Sequence, residues 1–145
     1  MKAHLPPFEE IEHAADLRLR AYGRDLPEFF ANAALGMFHL MQCHPTARSS
    51  PISHHILIES GDAATLLVDW LNEVLYLSER DQACFTEFTI TLLESGDEKP
   101  SRLEATVRGK SHCPPNKGIK AITFHALEIT HHESGSYQVT ITFDV

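Results

Sequence analysis

Tyr137-Gln-Val-Thr-Ile-Thr-Phe-Asp-Val145, the final stretch of the sequence, alternates between apolar and polar side chains. This is the two-residue period of a strand with one buried face. Because no polar tail follows Val145, we expect its terminal carboxylate to lie beside the side chain of Asp144. Two such anions repel each other unless a cation or a basic group lies between them. The stretch therefore predicts an ordered strand that ends in a candidate site for a hard cation, and this site needs a third oxygen ligand.

An earlier strand can supply that ligand. The segment Asp16-Leu-Arg-Leu-Arg-Ala-Tyr22 also alternates, and Asp16 stands at its start. If the first and last strands pair, Asp16, Asp144 and the Val145 carboxylate meet in an all-oxygen site, which suits Ca²⁺, Mg²⁺ or Mn²⁺. The alternative is that Asp16 caps a turn and Asp144 is a solvated strand residue. Spacing alone leaves both interpretations open.

Two helices are predicted between these strands. Asp25 caps the first, Pro27 lies in its first turn, Glu28 completes an approximate capping box, and the apolar periodicity extends to about Gln42. Asp62 caps the second helix, whose apolar residues cover much of its circumference.

The later part of the sequence is rich in strands. Further strands are predicted at residues 52–59, 88–93, 103–109 and 119–130. Early helices and late antiparallel strands indicate an α+β fold in two layers, a mostly antiparallel sheet packed with two main helices. The length of 145 residues favours one domain, residues 1–145.

The composition limits the partners. The sequence has 12 Lys and Arg against 20 Asp and Glu, a formal net charge of −8, which disfavours tight, direct nucleic-acid binding. The net charge does not exclude a local basic patch at Arg18, Arg20 and Arg24. The three cysteines are far apart with no C-x-x-C pair, and no segment is long and apolar enough for a signal peptide or a membrane span. We expect a cytoplasmic protein.

Other polar residues are weaker candidates. His13 and His125 lie in acidic or apolar segments, where a structural, hydrogen-bonded role is the alternative to a functional one. Asp69 and Glu73 share one helix face with Asn72 and Tyr76: a second carboxylate set, or a solvated face.

Lys120 is expected inside a strand, either reaching toward solvent or acting as a functional cation near Asp16 and Asp144. The adjacent pairs His54-His55 and His131-His132 would point to opposite sheet faces, so neither pair chelates one ion. Phosphate-binding loops and hydrolase elbows are absent from the sequence, so no self-sufficient catalytic motif indicates an enzyme.

Five ordered segments together resemble the archease family. Phe8-Glu-Glu-Ile-Glu-His-Ala-Ala-Asp16 is similar to the opening F-E-x-x-x-H-T-A-D signature, and Phe143-Asp144-Val145 to the F-D-[IV] ending. Between them, the segments at 33–38 and 66–76 are similar to the two family helices, and Ile119-Lys-Ala-Ile-Thr-Phe-His125 to the K-A-x-T-Y-H strand.

This resemblance implies a cytosolic activator of the GTP-dependent RNA ligase that acts in tRNA splicing and RNA repair. It further implies that the protein promotes ligase guanylylation and repeated turnover, and that Asp16, Asp144 and Val145 bind a divalent cation, Ca²⁺ in the family, with Mg²⁺ or Mn²⁺ also suited. Lys120 matches the lysine of the late motif.

Some positions depart from the family pattern. Ala14 replaces Thr, Phe124 replaces Tyr, and Gly109-Lys110 stands where Gly-Glu is common. Two rival functions remain at this point: a general chaperone or modulator of protein or RNA modification, and a metal-dependent phosphoesterase with a base such as His13.

Overall fold

The computed structural model describes residues 6–11, 17–96, 99–123 and 127–145, with side chains left out at 92–96 and 99–100. Two helices and two antiparallel sheets form an α+β fold, as the sequence predicts. The elements are β1 (Phe8–Ile11), β2 (Leu17–Gly23), α1 (Leu26–Met41), β3 (Pro51–Ser60), α2 (Ala63–Asp81), β4 (Cys84–Gly96), β5 (Lys99–Lys110), β6 (Ala121–Ile122), β7 (Ile129–His131) and β8 (Tyr137–Asp144).

The final strand is the centre of the five-stranded sheet. One edge of β8 pairs with β2, which pairs in turn with β1, and β6 and β7 also pair with β8. Val139, Ile141 and Phe143 are buried, whereas Asp144 is exposed. The predicted alternation is confirmed, and the pairing of β2 with β8 meets the condition on which the candidate cation site depended.

The second sheet has three strands in the order β3-β5-β4. β4 and β5, which include the strands predicted at 88–93 and 103–109, pair with each other in antiparallel orientation. β3 is longer by one residue at each end than the strand that we predicted at 52–59. The sequence patterns predict these strands but not their separation into a second sheet.

The capping residues start both helices as expected. The side chain of Asp25 accepts a hydrogen bond from the Glu28 amide, and Asp62 accepts one from the Thr65 amide. The capping box is incomplete, because the Glu28 carboxylate accepts from the amide of Arg24, the residue before the cap.

The helices join the two sheets into one core. α1 contacts β2 of the larger sheet and β4 of the smaller one, and α2 contacts β3, β5 and β6. The fully buried Trp70 of α2 donates its indole N–H to the Phe30 carbonyl oxygen of α1, at 3.0 Å. This bond satisfies a polar group that would otherwise be buried without a partner.

Two expectations need correction. Phe8–Ile11 forms β1, which we did not predict, because its two glutamates hide the strand pattern. The stretch predicted as one strand at 119–130 contains instead the short β6 and β7, separated by residues that include the undescribed 124–126. Because β8 ends at Asp144, the partner of Ala121, a strand that starts at Ile119 has no neighbour to pair with.

Neither helix of the described residues has the length and apolar character that a membrane span requires.

Candidate metal centre

The end of β8 is held from both sides. Leu17 of β2 pairs with Phe143, and Ala121 of β6 pairs with Asp144. Next to this pair, the backbone amide of Lys120 donates a 2.7 Å hydrogen bond to the Asp144 carbonyl oxygen. The main chain that carries the candidate carboxylates is therefore part of a bonded sheet.

Asp144 and Val145 are exposed at this position. Phe143 is fully buried, the next residue is exposed, and Val145 is 50% exposed. A buried aromatic ring thus anchors the strand one residue before the carboxylates, which lie at the surface. Carboxylate oxygens are the donors that hard cations prefer, so both groups fit such an ion in their chemistry.

The third proposed ligand lies outside the described residues. Asp16, which directly precedes Leu17, belongs to the undescribed segment 12–16, as does His13. His125 belongs to the undescribed segment 124–126. Among the described residues, no group of three or more His, Cys, Asp or Glu side chains is arranged to hold a metal ion. Asp144 and Val145 supply two carboxylates, so the predicted trio depends on Asp16.

Lys120 lies before a strand and not inside one, which corrects the expectation from the sequence. Its side chain is exposed, and β6 begins at the next residue. Its backbone amide is used in the bond to Asp144, so the position of its main chain is tied to the candidate site. The main chain of Lys120 is therefore anchored next to the end of β8, and its side chain is exposed to solvent.

A polar face of α2 is joined to the same edge of the sheet. The Asn72 side chain accepts a hydrogen bond from the Ile122 amide at 3.2 Å and donates one to the Ile122 carbonyl at 3.5 Å. Ile122 in turn pairs with Phe143, one residue before Asp144. The sequence grouped Asn72 with its helix face but did not indicate this contact with β6.

The two carboxylates on that face have different surroundings. Asp69 accepts a 2.6 Å hydrogen bond from the hydroxyl of Ser60, at the end of β3, a contact that the sequence did not indicate. Glu73 is half-buried, one residue after Asn72. The bond from Ser60 gives Asp69 a structural role that ties α2 to β3.

Two of the three arginines of the basic patch that the sequence left open, Arg20 and Arg24, are paired with acids. Arg20 contacts Glu9 at 3.2 Å, and Arg24 contacts Glu28 at 2.8 Å. A hydrogen bond with Tyr22 is the main reason that the pKa of Arg20 is raised, and the bond to Glu28 raises the pKa of Arg24. Because Arg20 and Arg24 already contact carboxylates of this protein, they are less suited to bind phosphate groups.

The first pair of adjacent histidines points to opposite sides of β3, as predicted. His54 contacts Asp81 at 2.7 Å and packs edge-on against Phe85, whereas His55 contacts Glu104 at 3.1 Å. These two side chains do not converge on one ion.

The fold and this polar strand end define a class of small α+β proteins with two antiparallel sheets. A family model described as the archease protein family matches residues 8–145, and the chain belongs to that family. The archease of Methanosarcina mazei is 32% identical over 142 residues, with 95% of each chain covered. The archease of Methanothermobacter thermautotrophicus is 33% identical over 141 residues, which cover 95% of this chain and 98% of the relative.

Solved structures agree with this assignment. The solution structure of Methanobacterium thermoautotrophicum protein 1598 matches with a TM-score of 0.77 and 30% identity, over 96% of this chain and 99% of that one. The crystal structure of a Thermotoga maritima archease, described as a possible chaperone, matches with a TM-score of 0.61. The match covers 99% of this chain and 100% of the Thermotoga maritima chain. At 15% sequence identity, it supports the fold alone.

Proposed function

We propose that this protein activates the GTP-dependent RNA ligase that joins 2′,3′-cyclic-phosphate or 3′-phosphate RNA ends to 5′-hydroxyl ends. In this role it acts in the cytoplasm, in tRNA splicing and RNA repair. It is not an enzyme itself: it promotes guanylylation of the ligase and so allows repeated turnover. Membership of the archease family supports the proposal.

The observation that carries the proposed site is the pairing around the end of β8. Leu17 and Ala121 lie opposite Phe143 and Asp144, and Asp16 is one peptide bond from Leu17. The pairing of β2 with β8 therefore supports a site in which carboxylates from both strands act together.

In this proposal Asp16, Asp144 and the Val145 carboxylate would hold a divalent cation, Ca²⁺ or else Mg²⁺ or Mn²⁺. When bound, the cation would supply positive charge for the phosphates of the nucleotide that the ligase uses. The residues of this chain hold the two strands in register, and Lys120 adds a second positive charge from an anchored backbone. The acidic remainder of the protein, at a net charge of −8, favours a protein partner over free RNA.

The test measures GTP-dependent guanylylation and multiple-turnover ligation by the purified ligase, with and without this protein. We expect Asp16→Ala and Asp144→Ala to lose most of the stimulation and to bind Ca²⁺ at least about tenfold more weakly by calorimetry, because each removes an anionic ligand. Removal of Val145 should act in the same direction, since it moves the terminal carboxylate.

Glu133→Ala is the matched control. Glu133 is an exposed carboxylate in the turn between β7 and β8, at the opposite end of β8 from Asp144. Full stimulation by both Asp16→Ala and Asp144→Ala would contradict the metal-dependent role. Failure of the unaltered protein to stimulate its ligase would contradict the choice of partner.

Two other outcomes would favour the rival functions. Suppression of aggregation of unrelated proteins, undiminished in Asp144→Ala, would favour a general chaperone. Turnover of a phosphoester by the purified protein alone would favour a metal-dependent phosphoesterase.

A further inference from the structure

β3 lies at an edge of the smaller sheet. Within the described part of the chain it pairs with β5 alone, and this pairing is regular from Pro51 to Ser60. The opposite edge strand, β4, has three register shifts. Between Ile52 and Ser60 the sequence has no proline, glycine or lysine. β3 therefore lacks the bulges, prolines and lysines by which edge strands ordinarily avoid pairing with another chain.

The backbone groups that face the free edge of β3 belong to its odd-numbered residues. The Ser111 amide donates a 2.8 Å hydrogen bond to the Ser50 carbonyl, and these two residues continue the register of β3 with β5. Because hydrogen-bonded pairs alternate along antiparallel strands, the even-numbered residues of β3 bond to β5. The 3.0 Å bond from the Thr91 hydroxyl to the Glu104 carbonyl agrees, since it shows an even-numbered residue of β5 facing β4. The groups that point outward are those of Ser53, His55, Leu57 and Glu59.

The side chains of these same residues are exposed. Leu57 is 55% exposed, which is unusual for a large aliphatic side chain in a strand. His55 and Glu59 lie on either side of it along the strand, and each has more than half of its side chain exposed. The free edge thus presents an apolar residue between an imidazole and a carboxylate.

We propose that two copies of this chain associate through β3, in antiparallel orientation, about a two-fold axis beside Leu57. In this register Leu57 lies opposite Leu57 of the second copy, and His55 of each copy lies opposite Glu59 of the other. All of these residues direct their free N–H and C=O groups outward, so each pair exchanges both backbone hydrogen bonds. The association would join the two three-stranded sheets into one continuous sheet.

A second copy fits this edge because the edge is complementary to itself. An interface about a two-fold axis brings the same residues together twice, so the axis at Leu57 gives one apolar pair and two pairs of histidine with glutamate. On the inner face, Ile56 lies opposite Ile58 of the second copy and extends the apolar surface. An axis at Ile56 would place Leu57 opposite His55 and Glu59 opposite Ser53, with neither an apolar nor a charged pair.

Contacts within one chain leave this edge accessible. His55 contacts Glu104 at 3.1 Å, and Glu59 contacts Arg102 at 3.7 Å. All four residues lie on β3 or β5, and both β3 side chains keep most of their surface in solvent. The candidate metal centre belongs to the larger sheet, so the association can be tested independently of ligase activation.

Sedimentation equilibrium over a series of protein concentrations tests the association. We expect the mean mass to rise with concentration from the 16.3 kDa of one chain toward twice that value. Leu57→Lys places two ammonium groups opposite each other at the axis and should raise the dissociation constant of the dimer at least about tenfold. Thr89→Lys is the matched control, because it adds the same charge to an exposed position of β4, the strand farthest from β3. Its dissociation constant should stay within about twofold of that of the unaltered protein.

Amide hydrogen exchange identifies the surface that associates. The amides of His55, Leu57 and Glu59 should exchange at least about fivefold more slowly at concentrations where the dimer dominates than in dilute solution. The amides of Ile56 and Ile58 bond to β5 in the monomer and should be protected at both concentrations. This alternation is specific to pairing at the edge of β3.

Three results would overturn the proposal. The first is a monomeric mass at every concentration, and the second is a Leu57→Lys dimer as stable as that of the unaltered protein. The third is a dimer in which the amides of His55, Leu57 and Glu59 exchange as fast as in dilute solution. If Leu57→Lys does not fold, the exchange of these amides in the unaltered protein still decides the question.

Discussion

The backbone amide of Lys120 and the carbonyl oxygen of Asp144 form a 2.7 Å hydrogen bond beside the last strand pair of the sheet. The bond involves no side chain, so the lysine ammonium and the aspartate carboxylate stay available at the surface. We therefore expect substitution of either side chain to leave the sheet pairing in place, so that an effect on ligase stimulation can be distinguished from an effect on folding.

Lys120→Met removes the charge without removing the amide. We expect stimulation of the ligase to fall several-fold, with a thermal midpoint within about 2 °C of the unaltered protein, since an exposed side chain contributes little to stability. Lys117→Met is the control, because Lys117 also donates its backbone amide, to Met41, and has an exposed side chain. Equal stimulation by the two variants would exclude a specific role for Lys120.

Asn72→Ala removes both hydrogen bonds between α2 and Ile122. We expect the free energy of unfolding in urea to fall by about 1–3 kcal/mol, because the amide and carbonyl of Ile122 lose their side-chain partner. Glu79→Ala changes an exposed residue of the same helix and should alter stability by no more than about 0.5 kcal/mol. A value for Asn72→Ala equal to that of Glu79→Ala would mean that the link between helix and sheet is dispensable.

Gly109→Ala should destabilise the smaller sheet. A Cβ at this position would overlap the carbonyl oxygen of Cys84 and the backbone of Phe85 on the neighbouring strand. Because backbone atoms move only together with their strand, we expect a loss of about 1–3 kcal/mol. Gly118→Ala, where a Cβ meets nothing within 4 Å, is the control and should be neutral or slightly stabilising. If the free energy of unfolding of Gly109→Ala equals that of the unaltered protein, β4 and β5 can shift apart at this position at little cost, which contradicts the prediction.

The N-cap of α2, Asp62, should make the free energy of unfolding depend on pH in the acidic range. Hydrogen bonds from Thr65 lower the pKa of Asp62 below its ordinary value of 3.8. The unfolded state therefore takes up this proton at a higher pH than the folded state. The stabilisation by the ionised cap is fully present above the ordinary pKa and is lost as pH falls through the folded pKa.

Urea unfolding of the unaltered protein and of Asp62→Asn, at pH 7 and near pH 3, measures this effect. Asparagine also caps a helix but does not ionise, so the advantage of the unaltered protein over Asp62→Asn should shrink in acid. Asp62→Ala should lose about 1 kcal/mol at pH 7. A difference between the unaltered protein and Asp62→Asn that is the same at both pH values would contradict the ionised cap.

Local signals predicted the helices well. Asp25 and Asp62 cap amides three residues ahead, so the chemistry that begins each helix lies within one turn of sequence. The alternation of β8 was equally informative, because burial of one face is recorded in every second residue.

Features that depend on distant partners were harder to predict. The apolar run from Ile119 indicated one strand, but the end of β8 limits how far β6 extends. The backbone hydrogen bond from Cys113 to Gln82 was also not predicted, since no pattern in the loop sequence indicates which part of the chain it contacts. Asp16, His13 and His125 lie outside the described residues, so their roles stay predictions.

The central position of β8 has a consequence for biosynthesis. Residues 137–144 are synthesised after β2, β6 and β7, yet each of these three strands pairs with β8. The larger sheet therefore cannot close until β8 has been synthesised, whereas the hairpin of β4 and β5 and its partner β3 are complete earlier in the chain. Until β8 is made, the nascent chain carries β1 and β2 with an open strand edge that is exposed to aggregation.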